Sequence, residues 1–244
     1  MARTDILKTA AAGLSAVLIA AAGTACDNDP YKTGDGSLSY MRADFVEAST
    51  DGTASVTAAT TDNGTQLRLS PPLKASWITA KDSVYRALLY YNTNDEASTD
   101  GGKATVEPVA IGDVIVPKVV SATSIIKTFP TDPVTFDAAW LSKNSRYANI
   151  SFYIKTGKKD GKTEAQSIGI AYTGTTTLAD GTKCHRLALI HAQNDVPQYY
   201  SYLVYMSIPL YRLPFSLNSG DSIEIGINTY NGKTTKNFKI LKTQ

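Results

Sequence analysis

The chain has 244 residues, 43% hydrophobic and 19% charged, a balance that suits a folded globular protein and not a disordered one. Its 24 Lys and Arg against 22 Asp and Glu give a formal charge of +2, so the basic surplus that nucleic-acid binding needs to displace counterions is missing. Two cysteines, Cys26 and Cys184, could make one disulfide, but the setting of Cys26 points to another use, and Cys184 then reads as a small buried hydrophobe.

The N-terminus carries a targeting signal. Arg3 and Lys8 form a basic start, and the run TAAAGLSAVLIAAA from Thr9 to Ala22 has the length of a signal-peptide core, shorter than the roughly 20 apolar residues of a spanning helix. Small residues then lead to Cys26. Gly23-Thr24-Ala25-Cys26 resembles a bacterial lipobox, in which the cysteine sulfur takes a diacylglycerol and the new amine is acylated after cleavage; Gly23 stands where the commonest pattern has Leu. Two or more acyl chains anchor a protein stably without spanning the bilayer. The alternative is plain secretion with cleavage near Ala25. Removing residues 1–25 takes away Arg3, Lys8 and Asp5 and leaves a surplus of one positive charge.

Residues 26–36 read as a polar tether, able to reach at most about 36 Å when extended. Asp27 and Asp29 put acidic residues just behind the lipid cysteine, which resembles the surface-export signals of Bacteroidetes lipoproteins. The expected place of work is therefore the outer membrane, lipid-anchored, with outward display preferred.

From Ser37 on, the pattern is all β. Runs at Leu38–Glu47, Thr53–Thr60, Thr65–Leu69, Val84–Tyr91 and Ala104–Val116 are rich in Val, Ile, Thr and Tyr and are separated by turn residues. Asn63-Gly64 between two of them predicts a hairpin, because both residues tolerate positive φ. Five short strands over 37–116 fit a small OB-type barrel. Residues 117–133, with Pro117, Pro130 and Pro133, read as a linker. Seven further runs follow in 134–244: Val134–Leu141, Tyr147–Lys155, Ala165–Tyr172, Lys183–His191, Tyr199–Leu210, Ser222–Tyr230 and Thr234–Leu241. Seven is the count of an immunoglobulin-like β-sandwich, here without the cysteine pair of a true immunoglobulin domain. Trp140 is a candidate core anchor.

This order of features resembles the NigD-like lipoproteins of Bacteroidetes. The residues that carry the likeness are GDGSLSYMRADFVEA, TDNGTQLRL and SVYRALLYYNT in the first half, and DPVTFDAAWLSKNSRYANISFYI, LALIHAQND and SYLVYMSIPL in the second. The resemblance implies a lipid cysteine, an OB-type domain and then a β-sandwich. It also implies an arginine opening the fourth strand of the first domain, near Arg86. The family takes its name from a gene beside a bacteriocin operon, so immunity is implied by genomic association alone.

Signatures of catalysis are missing: there is no G-x-S-x-G, H-E-x-x-H, P-loop or C-x-x-C, and no cofactor or metal site is expected. His185 and His191 fall on one face of a strand with Leu187 and Leu189, close to 20 Å apart and too far to share a metal, with Cys184 on the other face. His191 and Asp195 are expected to brace the turn that follows by a hydrogen bond, with a binding role as the alternative. The carboxylate pairs Asp132 with Asp137 and Asp221 with Glu224 are weighed as glycosidase pairs and read instead as turn and solvent residues. Tyr199, Tyr200, Tyr202, Tyr205, Tyr211 and Phe215 form the most unusual composition; alternate members are expected in the sandwich core, whereas exposure would make Tyr199 and Tyr202 binding residues. Asp82-Ser83-Val84 and Asp221-Ser222-Ile223 match a D-[ST]-apolar O-glycosylation pattern of exported Bacteroidetes proteins, making Ser83 and Ser222 candidate sites. The reading is a non-enzymatic, membrane-anchored binding or protective protein with an unknown protein or glycan partner. Its alternative is a glycan-binding accessory lipoprotein.

Overall fold

The computed structural model describes residues 41–92, 102–121, 129–158 and 166–241, all within one unit, Tyr40–Gln244. The expected signal peptide, Cys26 and the expected tether lie outside the described residues. The first lobe is built from β1 (Met41–Thr50), β2 (Val56–Thr61), β3 (Gln66–Leu73), β4 (Val84–Asn92) and β5 (Lys103–Asp113). They close into a barrel in the order β1-β2-β3-β5-β4, with β1 pairing both β2 and β4. Closure depends on the length of β5. Its first residues run parallel to β3, and its later ones antiparallel to β4. That order, with a parallel β3–β5 contact, is the OB-type Greek-key barrel that the strand count predicts. Inward residues such as Val46, Ala48, Leu67, Leu69, Leu89 and Val106 alternate with residues on the outer face of the barrel and fill the lumen.

The Asn63-Gly64 hairpin forms between β2 and β3. Only Gly64 takes positive φ, at +89°; Asn63 stays on the ordinary side. The Asn63 side-chain oxygen instead accepts hydrogen bonds from the Thr61 hydroxyl and the Thr65 N–H. The asparagine thus acts through its side chain, as an Asx-type turn, not through its own backbone.

The second lobe holds eight strands among the described residues: β6 (Val119–Ser121), β7 (Thr135–Leu141), β8 (Tyr147–Thr156), β9 (Ser167–Thr177), β10 (Lys183–Ala192), β11 (Tyr200–Pro209), β12 (Ser222–Thr229) and β13 (Gly232–Lys239). One sheet has the order β13-β12-β10-β9-β6 and the other β11-β8-β7. The core is the inward half of each strand. In β12 the buried residues are Ile223, Ile225 and Ile227, with Ser222, Glu224 and Gly226 between them. They meet Ile150, Phe152, Met206 and Ile208 from the smaller sheet.

The proline-bearing segment read as a linker carries part of this sandwich. Val119–Ser121 pairs in parallel with β9, and Thr131 bridges His191. A three-residue strand between prolines is too short to announce itself by alternation. Eight strands therefore stand where seven are expected, and the β6–β9 and β10–β12 pairs are parallel.

β8 is buried along six successive residues, from Tyr147 to Phe152. One face, with Ala148, Ile150 and Phe152, enters the sandwich core. The other face, with Asn149 and Ser151, is turned toward the barrel, where Phe45 of β1 packs edge-on against Trp140 of β7 at 5.3 Å and Tyr205 of β11 at 5.5 Å. Trp140 is thus an anchor between lobes and not one inside the sandwich.

Candidate functional site

The seam between the lobes is polar at its centre. Strand alternation sends Asn149 of β8 and Ser207 of β11, which face each other in register, away from the apolar core. Arg86, the third residue of β4, reaches them from the barrel. Its Nε donates to the Ser207 hydroxyl (3.0 Å), Nη2 donates to Asn149 Oδ1 (3.1 Å), and the two terminal nitrogens donate to the Asp62 carboxylate at 2.6 and 2.8 Å. Asn149 returns a bond to Asp62, and Ser207 donates to Asn149 Oδ1 at 2.6 Å. The guanidinium lies 4.0 Å from the centre of the Tyr147 ring. A buried cation matched by a bidentate carboxylate and two neutral acceptors is stable only as a complete set. Arg86 therefore lies two residues inside the fourth strand, and its bonds join the lobes.

Next to this network a cleft of about 610 Å³ opens to solvent. β11 ends at Pro209, and the 3-10 turn Leu210–Arg212 swings Tyr211 and Arg212 into it. Leu210 is buried, and its N–H donates to the Arg146 carbonyl at 2.8 Å, which ties the turn to the β7–β8 connection. Arg146 donates to Glu47 Oε1 (2.9 Å), the Tyr147 hydroxyl donates to the same oxygen (2.7 Å), and the Tyr147 and Tyr211 hydroxyls bond at 3.2 Å. The hydrogen bond that Arg146 donates to Glu47 raises the arginine's pKa. Burial first, then the bonds to Tyr211 and Glu47, push Tyr147 far above the ordinary tyrosine range. Across the cleft, Trp77 meets Tyr85 edge-on at 5.8 Å, and the Tyr85 hydroxyl accepts the N–H of Ala80 (2.7 Å) and of Thr79 (3.2 Å). None of these connections spans fewer than five residues in sequence, so no local pattern announces the cleft.

The residues singled out from the sequence have varied fates. His185, Leu187, Leu189 and His191 share one buried face, as alternation requires. His191 does not bond Asp195. Its Nδ1 is 3.0 Å from the Asp132 carbonyl and its Nε2 2.8 Å from Gln166 Oε1, because β10 continues into the sheet interior while Asp195 stands exposed in the turn beyond. The turn is braced instead by Gln193, whose N–H donates to Asp132 Oδ2 (2.7 Å) and whose amide donates to the Val196 carbonyl. The weighed carboxylates are all engaged in structure: Asp137 accepts from Ser151, Asp221 accepts from the N–H groups of Lys183 and Asn218, and Glu224 pairs with Arg186. Among the described residues no group of three or more His, Cys, Asp or Glu could hold a metal.

The tyrosines depart most from expectation. Tyr199, Tyr200 and Tyr202 are 76%, 52% and 60% exposed. Tyr200 and Tyr202 do lie on the face of β11 that carries Val204, Met206 and Ile208, but the strand begins beyond the reach of the core. Tyr202 and Tyr205 line a second cleft, of about 520 Å³, with Tyr90, Asp113 and Ile168. Ser83 lies in the turn before β4 with Val84 exposed beside it, whereas Ser222 sits inside β12, paired on both sides.

No helix among the described residues is long and apolar enough to cross a membrane. Comparison with curated proteins gave no match. Solved structures similar in fold include a NigD-like immunity protein from Bacteroides caccae (20% identity, TM-score 0.58, covering 81% of this chain and 92% of that one). Another is a protein of unknown function from Bacteroides vulgatus (14%, TM-score 0.60, 83% and 92%). A third is a candidate lipoprotein from Bacteroides fragilis (9%, TM-score 0.54, 84% and 98%). The family model of the NigD-like C-terminal beta sandwich domain matches residues 118–240, which begins just ahead of β6 and takes in every sandwich strand. With just over half of its length matched in this way, the chain belongs to the NigD-like family.

Proposed function

We propose that this protein is a lipid-anchored, outer-membrane protein that works by binding rather than by catalysis, in a protective role of which bacteriocin immunity is one version. Cys26 carries the lipid, residues 26–36 hold the two lobes clear of the bilayer, and the lobes act as one rigid body that meets a partner at the cell surface. The observation that carries the reading is the cluster of Tyr199, Tyr200 and Tyr202. Three largely exposed aromatic side chains fall within four residues of sequence, Tyr200 and Tyr202 on one face of β11 and Tyr199 just before it, and none of their hydroxyls has a hydrogen-bond partner among the described residues. Aromatic rings at that exposure are what partner interfaces and sugar-binding faces are made of. The name of the Bacteroides caccae structure, a NigD-like immunity protein, supports the protective version.

A second reading, glycan-binding accessory lipoprotein, draws on the same exposure, since exposed tyrosines stack on sugar rings as readily as on side chains. Two experiments divide the questions. Fractionation of Cys26→Ser tests the anchor: release from membranes supports it, and unchanged fractionation defeats it. Capture from envelope extracts with the wild type and with a Tyr199→Ala/Tyr202→Ala variant tests the surface. A protein lost with the tyrosines supports the first reading, a polysaccharide lost with them supports the second, and capture that ignores the substitutions removes the tyrosines from the proposal.

A further inference from the structure

The Tyr211–Arg212 cleft differs from the Tyr199–Tyr202 cluster in being braced. Tyr85 is held by two backbone N–H groups, Tyr211 by the Tyr147 hydroxyl, and Arg146 by Glu47. The Arg146 guanidinium lies 4.5 Å from the centre of the Tyr211 ring and that of Arg212 5.3 Å. Rings and guanidinium groups fixed in advance lose little entropy when a ligand arrives. Tyr211 nevertheless keeps 49% of its surface exposed.

Two polar groups of the same cleft are left over. Arg212 has no carboxylate within 4.0 Å, and the Asp113 side chain has neither an ion pair nor a hydrogen bond among the described residues. A free donor array and a free acceptor thus line one opening. Charge does not select the ligand: Arg86 is paired with Asp62 and Arg146 with Glu47, which leaves Arg212 and Asp113, one of each sign and not paired with each other, in the lining. A volume of about 610 Å³ lies in the range of small-ligand sites.

From these features we infer that the cleft binds an uncharged sugar ring of a glycan, with Trp77 and Tyr211 contacting the ring and Arg212 and Asp113 bonding its hydroxyls. Sugar hydroxyls donate and accept at once, so a free guanidinium and a free carboxylate serve them together. A bare anion would leave Asp113 repelling it. A peptide would be held through main-chain bonds or apolar pockets, and the available groups are planar polar side chains on rigid rings. The inference rests on the binding reading above; its site is centred on Tyr211 and Arg212, and Asp113 stands between it and the Tyr202 cleft, which it also lines.

The test uses the full mature chain in a sugar-free polyoxyethylene detergent. The protein has two tryptophans, so Trp140→Phe leaves Trp77 as the sole reporter. Methyl glucoside, methyl galactoside and methyl mannoside are titrated to tens of millimolar, with sodium acetate and a tyrosine-containing tetrapeptide alongside. Saturation-transfer NMR on the tryptophan-intact protein repeats the titration, in case Trp140→Phe disturbs the seam. A saturable response to at least one glycoside, weakened about tenfold by Arg212→Ala and by Asp113→Ala and left unchanged by Tyr199→Ala, is expected. No response to any glycoside, an equal response to acetate or the peptide, or a glycoside response that both cleft substitutions leave intact would each overturn the inference. None of these outcomes depends on the Cys26→Ser fractionation or on capture through Tyr199 and Tyr202, so failure here leaves those readings standing.

Discussion

Arg86 and Asp62 meet in two hydrogen bonds, 2.6 and 2.8 Å long, and the arginine belongs to a barrel strand while its other partners, Asn149 and Ser207, belong to the sandwich. The Arg86 side chain is 2% exposed and that of Asp62 18%. Removing one member of a buried ionic set strands the rest without partners, which costs about 3–5 kcal/mol where both charges are fully buried. Asp62 reaches water, which lowers the figure. Arg86→Ala is expected to cost about 2–4 kcal/mol and Asp62→Asn less, and their effects should be non-additive. Urea denaturation followed by far-UV and tryptophan signals checks this. For Arg86→Ala the two signals should separate, because the barrel and sandwich cores are distinct clusters and the seam between them would be cut. Coincident transitions with an unchanged midpoint would mean that Arg86 joins nothing.

Stability should also fall on mild acidification, through His185. Its side chain is 3% exposed, Nδ1 lies 2.7 Å from the Thr175 hydroxyl, and Phe215 stacks on the ring at 4.1 Å. Nε2 is buried without a hydrogen-bond partner, 3.7 Å from the Asp221 carboxylate. Burial depresses the histidine pKa below the ordinary 6.5, and the nearby Asp221 offsets this only in part. The unfolded chain then takes up a proton before the folded one does, so folding stability is whole above the ordinary value and declines as pH drops through and below it. Asp221 is depressed as well, by the N–H groups of Asn218 and Lys183, and its contribution disappears only as pH falls below the ordinary 3.8. The two effects therefore occupy separate windows. Urea midpoints for the wild type should decline from about pH 7 to about pH 5, and His185→Gln should flatten that interval. A midpoint that rises on acidification would show instead that a protonated His185 pairs with Asp221 strongly enough to outweigh burial.

Gly157 leaves room for Tyr199 and Pro197 by what it lacks. A Cβ there would lie 2.7 Å from Tyr199 Cδ2, 3.0 Å from the Pro197 carbonyl oxygen and 3.1 Å from Pro197 Cβ. The ring could swing away, but the proline backbone could not. Gly157→Ala is expected to shift the 197–199 segment and to destabilise by about 1–3 kcal/mol, the usual range for overpacking. The same substitution should weaken partner capture to the extent that Tyr199→Ala does. A stable Gly157→Ala variant with unchanged capture would detach the tyrosine's position from its role.

Much of the architecture is legible in the sequence because alternation reports which strands have one wet face. All five barrel strands and seven of the eight sandwich strands lie where Val, Ile, Thr and Tyr recur between turn residues. Alternation does not say what covers the polar face. In YANISFYI the residues Asn149 and Ser151 look like a solvent side, and they are wholly buried against the barrel. Nor does it say where a core stops. Tyr200 and Tyr202 have the phase of core residues, yet their strand starts outside the core. The Arg86 network and the Arg212 cleft stayed hidden for another reason: Arg86 meets Ser207 at a separation of 121 residues and Arg146 meets Glu47 at 99. Only the closed fold brings such partners together.

The two D-[ST]-apolar sequences, Asp82-Ser83-Val84 and Asp221-Ser222-Ile223, match the same pattern and differ in accessibility. Ser83 follows Asp82, which has φ +47°, in the turn that leads to β4, and the Ser83 hydroxyl donates only to the Lys81 carbonyl at 2.8 Å. Attaching a sugar there removes one exposed hydrogen bond, a loss of about 1 kcal/mol or less. Ser222 lies within β12, paired with Cys184 of β10 on one side and Lys239 of β13 on the other. A transferase that reads an extended acceptor segment would have to detach that strand from both neighbours. If the native protein is modified at these patterns, intact-mass measurement should find the added mass abolished by Ser83→Ala and retained in Ser222→Ala. A mass equal to the lipidated polypeptide alone would rule out both sites. Loss of the added mass with Ser222→Ala would mean that modification precedes folding, because only the unfolded chain presents that serine.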